Sequence, residues 1–62
     1  MYPALLVRSF PSPEDLPRVV WFLASLEGID FLTAKELLLS WAKAVGASPG
    51  RDEFDLLRRV LP

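Results

Sequence analysis

Thr33-Ala34-Lys35-Glu36-Leu37-Leu38-Leu39-Ser40-Trp41-Ala42-Lys43-Ala44-Val45-Gly46 decides the fold class. Thr33 and Glu36 have the spacing of a capping box, in which the hydroxyl accepts from the glutamate amide and the carboxylate reaches back to the threonine amide. Ala34, Leu37, Leu38, Trp41 and Val45 recur at the period of a helix buried along one stripe, while Lys35, Glu36, Ser40 and Lys43 lie elsewhere. Gly46 supplies the left-handed residue that ends such a helix. The spacing therefore predicts a helix over 34–45 with Trp41 in the core. Leu39 is out of place, a large apolar residue on the polar side.

The same grammar extends in both directions. Upstream, Ser12-Pro13-Glu14-Asp15 predicts a turn, with Ser12 as N-cap and Pro13 in first position. Pro17 delays the regular helix to about 16–27, and Gly28 ends it. Leu16, Val19, Val20, Leu23 and Leu26 form its main apolar face. Trp21 falls opposite, beside Arg18 and Ser25, and Phe22 lies between the faces. A helix that is apolar nearly all round is covered on more than one side. Downstream, Ser48-Pro49-Gly50-Arg51 favours a type II turn, with proline and glycine central. Asp52 is the expected cap of a third helix over 53–61. Phe54, Leu57, Val60 and Leu61 point inward there, and Leu56 widens the stripe. Asp52, Glu53 and Asp55 sit early in that helix and Arg58 and Arg59 late, as the helix dipole prefers, and Asp55 is in reach of both arginines.

Ala4-Leu5-Leu6-Val7-Arg8-Ser9-Phe10 reads as an extended segment bounded by Pro3 and Pro11, because Val7 and Phe10 favour extension. One face would carry Leu6, Arg8 and Phe10. A lone strand leaves its backbone groups unpaired, and no second strand follows. Two arrangements are open: pairing with the same segment of another subunit, or an arm lying across the helices. The expectation is a mainly α, compact three-helix domain spanning 1–62, with an extended, strand-like N-terminal arm at 1–11.

Sixty-two residues allow one domain, and a chain of that size buries only about 60% of its unfolded surface. Disulfides, metals or association usually supplement so small a core. There is no cysteine and no histidine, so disulfides, thiolates and the commonest metal ligand are missing. The hydrophobic share is 52%, with two tryptophans and four phenylalanines, against about 45–50% in ordinary globular chains. We read this surplus as a partner-facing surface rather than scattered surface apolars. Trp21 and Leu39 are its expected centre, with Arg18 beside them and Leu6 and Phe10 contributed by the arm. Phe22 is expected to fill a second side of the core. Asparagine and glutamine are also absent, and there are six prolines, a pattern reported for thermophile proteins.

The usual general base and the best nucleophile are missing, so no enzymatic activity is expected. Asp52, Glu53 and Asp55 are explained by their place at a helix start and do not follow the calcium-loop spacing. Each of the three glycines punctuates a helix or turn. No metal, cofactor or small-molecule substrate is expected. Net charge is −1 and the seven basic residues are dispersed, which disfavours nucleic acid. The stretch Trp41–Ser48 has the look of a helix-turn-helix centre, but Asp52 and Asp55 stand where that motif needs apolar residues. Over residues 4–46, an extended segment followed by two helices resembles ribbon-helix-helix repressors in the order of elements. That resemblance implies a dimer paired through the N-terminal strand, with Arg8 as its one basic residue at the groove. The longest apolar run, Val19 to Ala24, is far below the roughly 18 residues that span a bilayer. The start lacks the basic segment of a signal peptide, so a cytoplasmic location is expected. The reading is a non-enzymatic protein-interaction or oligomerisation module, working as a homo-oligomer or on a larger protein.

Overall fold

Pro3 opens a helix rather than bounding a strand. In the computed structural model, which describes residues 2–61, the first helix, α1, spans Tyr2–Ser9. The expected extended arm is thereby corrected over 2–9, and no strand occurs among the described residues; Met1, the first residue of the expected arm, lies outside them. The physical reason is backbone accounting. A single extended segment would leave its N–H and C=O groups unpaired, whereas a helix pairs them internally. Proline is tolerated in the first turn because its missing N–H has no partner there anyway. Ala4, Leu5, Leu6 and Arg8 are good helix formers, and Leu6, Val7 and Phe10 fall on one helical face, packed against the core.

After α1 comes a single 3-10 turn at Pro13–Asp15, then α2 (Leu16–Ala24), α3 (Phe31–Val45) and α4 (Arg51–Val60). The turn is built as the sequence implies. Ser12 accepts from the Glu14 amide at 3.2 Å, and the Ser12 amide donates to Asp15 at 3.4 Å. α2 stops at Ala24, three residues short of the expected 27. There the Ser25 hydroxyl donates to the Phe22 carbonyl at 2.7 Å, and the Ser25 amide is shared between Trp21 and Phe22. A serine that bonds the local backbone competes with continuation of the helix. Gly28 keeps its left-handed conformation, φ +80°, in the turn that follows.

α3 starts a turn earlier than expected. Its cap is Asp30, whose carboxylate accepts from the Thr33 amide at 2.9 Å, so Thr33 lies inside the helix and does not cap it. Aspartate outranks threonine as an N-cap. At the far end the Ala42 carbonyl accepts from both Gly46, at 2.8 Å, and Ala47, at 2.9 Å. Gly46 has φ +79°, the left-handed cap the sequence calls for. α4 is capped by Gly50, not Asp52, and the Glu53 carboxylate accepts from the Gly50 amide. Gly50 has φ −108° and ψ −172°, which is extended backbone, so Pro49-Gly50 does not form the expected type II turn.

The core draws on every helix. α2 gives Val19, Val20 and Leu23; α3 gives Ala34, Leu38, Trp41 and Ala42; α4 gives Leu57, with Leu61 just beyond it; α1 gives Leu6. Among the described residues no polar or charged side chain is buried. α3 is central and touches the other three helices, α1 rests principally on α3, and α4 packs on both α2 and α3. The radius of gyration, 10.3 Å, matches the roughly 10.6 Å expected of a compact chain this long.

Candidate interaction surface

Among the described residues, α2 and α3 carry four of the six exposed large apolar side chains. On α2, Val19, Val20 and Leu23 are buried, and Trp21, about 100° round from Val20, is 55% exposed. Arg18 is exposed on the same outer side. On α3, Leu39 is 45% and Leu32 63% exposed. Seven residues apart, these two leucines lie above one another on the helix face turned away from Leu38 and Trp41. Lys43 and Glu36 are exposed alongside them. The arrangement is an apolar stripe flanked by both signs of charge.

A third apolar spot forms where α1 meets α2. The Phe10 and Phe22 rings lie 5.6 Å apart and tilted at 57°, within the separation at which aromatic pairs attract. Leu5, Leu6, Ser9 and Phe22 line a shallow groove of about 70 Å³ there. Beneath it, Trp41 Nε1–H donates to the Phe10 carbonyl at 2.7 Å. That bond satisfies the one polar atom of a side chain that is otherwise sealed from water.

Of the five residues expected at an interface, Trp21, Arg18 and Leu39 are exposed, on two different helices. Leu6 is corrected outright: it is 2% exposed and belongs to the core. Phe10 is half-buried, with its ring on Phe22 and its carbonyl on Trp41. Both follow from α1 being a helix, which puts Leu6 and Phe10 on one inward face. Phe22, expected as filling, does pack on Phe10 yet keeps one side in solvent. Val60, expected inward on α4, is corrected to an exposed position at the edge of that helix's stripe, and Leu5 and Leu32 are exposed large apolar residues outside the expected interface. Leu32 preceded the expected helix start and was never placed on a face. Asp30 capping would have placed it.

Elsewhere the surface is ordinary. Arg58 lies over the Phe31 ring at 4.8 Å and Lys35 over Phe54 at 5.8 Å, so two cations cover the aromatic edges of the α3–α4 seam. An open depression of about 270 Å³ lies between the α2–α3 turn and α3, with Leu26, Ile29 and Leu37 in its wall and Glu27 and Thr33 as its charged and hydroxyl groups. Hydrogen bonds from Thr33, its hydroxyl foremost and its amide next, hold the Asp30 carboxyl below its ordinary value of 3.8. Among the described residues no three histidine, cysteine or acidic side chains gather as a metal site, and no helix is long and apolar enough to cross a membrane. Comparison with protein families, with curated proteins and with solved structures finds no match for this chain.

Proposed function

We propose that the chain is a non-enzymatic protein-interaction module that self-associates through the outer faces of α2 and α3. The observation that supports this reading is Trp21, a tryptophan left 55% exposed in so small a domain. Tryptophan is enriched at binding hot spots because it couples a large apolar area to one hydrogen-bonding group. Leu32 and Leu39 supply a second apolar strip, and Arg18 a rim charge able to pair with a carboxylate of the facing copy. The ribbon-helix-helix alternative has no comparable support, since the segment it needs as a strand is α1.

Light scattering on a sizing column tests the proposal, together with melting across a range of concentrations. Association should raise the melting temperature with concentration by mass action. Paired substitution Trp21→Ala with Leu39→Ala should leave helicity intact and weaken that dependence. A monomer whose melt ignores concentration counts against self-association and directs the search to a larger protein. In a mobility-shift titration near physiological salt, duplex DNA should bind no tighter than about 10⁻⁵ M, the non-specific range. Salt-sensitive binding weakened by Arg8→Ala would favour the nucleic-acid alternative.

A further inference from the structure

α1 is held by contacts that its own chain has no monopoly on. A helix of eight residues does not persist alone in water, so α1 stands on what it packs against. It rests principally on α3, not on α2, its neighbour in sequence. The anchor points are buried Leu6, the Phe10 ring against Phe22, and the Phe10 carbonyl, which accepts from a tryptophan 31 residues away. Every one of these partners is presented in the same way by a second copy.

The hinge is short and stiff. Phe10 directly follows α1, its amide still bonded to the Leu6 carbonyl at 2.8 Å, and Ser12 already caps the next turn. Only Pro11 lies between them, with its φ fixed by the ring. Phe10 and Ser12 each precede a proline, which biases both toward extended backbone, and Ser12 adopts it at φ −109°, ψ 142°. The chain must nevertheless fold back within this link to lay α1 on its own α3. Short, constrained hinges of this kind are the setting in which an element exchanges between copies.

We propose that α1 exchanges between two copies of the chain, giving a symmetric dimer in which each α1 fills the groove on the other's α3. The seat beside Phe22 and Trp41 is refilled by the same Leu6 and Phe10 of the other copy, and the link is free to extend. This inference does not rest on the Trp21 surface, which lies outside the groove.

Equal parts of isotope-labelled and unlabelled protein, unfolded together and refolded at NMR concentration, test it. Isotope-filtered spectra of the dimer should show Phe10 protons close to the Trp41 indole across the label boundary. Inserting a flexible Gly-Ser-Gly between Pro11 and Ser12 should let α1 close on its own chain and weaken the dimer at least about tenfold, since a slack link raises the effective concentration of the intramolecular helix. Trp21→Ala should leave the cross-boundary signals in place. A dimer whose Phe10–Trp41 contacts stay within one copy overturns exchange and leaves the Trp21 surface as the interface. A monomer at every concentration overturns both.

Discussion

Trp41 and Trp21 are the same residue in opposite circumstances. Trp41 stands on α3 with none of its surface exposed and its indole N–H bonded to the Phe10 carbonyl. Trp21 stands on α2 with more than half of its surface in water. The difference comes from their neighbours in sequence. Trp41 is three and seven residues after Leu38 and Ala34, both fully buried, so it inherits their face. Trp21 shares the outer side of its helix with Arg18. An aromatic side chain in a small domain is thus core or exposed surface according to its register with the buried stripe, and not according to its hydrophobicity.

The largest effect should come from truncating the buried partner. Trp41→Ala removes the biggest core side chain and should destabilise the fold by about 3–5 kcal/mol, measured by urea titration. A loss comparable with that of an exposed residue would mean that the two tryptophans are not so different after all. Trp41→Phe sharpens the point by keeping much of the volume and deleting the hydrogen bond. It should cost about 1–2 kcal/mol, from an acceptor left without its donor. Its footprint should be concentrated in α1, as faster amide exchange at Leu6 and Phe10.

Trp21→Ala should shift stability by no more than about 0.5 kcal/mol, with helicity unchanged by circular dichroism and association weakened. In single-tryptophan variants, Trp21 emission should move to the red on dilution and Trp41 emission should stay blue. If Trp21→Ala unfolds the protein, the comparison collapses and Trp21 is core. The smallest effect lies at the other end of α3. The Asp30 carboxyl titrates below its ordinary range when folded, so its capping contribution is present above that range and is lost as pH falls through the depressed value, below about pH 4. Asp30→Ala should remove this step from the acid limb of a helicity–pH curve and loosen the turn carrying Leu32. Trp41 emission should not respond, because it lies more than two turns further along the helix.

The faces of α2, α3 and α4 were legible because each repeats an apolar stripe long enough to reveal its period. Val19, Val20, Leu23, Leu38, Trp41 and Leu57 all lie where that period puts them. α1 was not legible. In seven residues, β-branched Val7 and the flanking prolines outweighed Ala4, Leu5 and Leu6, whereas in the fold internal backbone pairing and the burial of Leu6 as α1 packs on α3 favour the helix. The helix caps were misplaced where two candidates stood within a turn of each other: Asp30 against Thr33, Gly50 against Asp52. Among surface residues, Trp21 and Leu39 could be found because they break a pattern, whereas Leu32 could not, since its pattern began with a cap that had been placed too late. Val60 was expected inward and lies at the edge of the α4 stripe, exposed.

The bond from the Trp41 indole to the Phe10 carbonyl also gives the molecule a clock. That proton sits between α3 and the end of α1, out of reach of solvent, and can be traded for deuterium only while the two are apart. In heavy water, the decay of this one indole resonance counts departures of α1 directly. Global unfolding is counted separately by the amides of Val20 and Leu38, deep in α2 and α3. If the indole signal fades well before those amides, α1 lifts on a timescale of its own while the other three helices stay assembled.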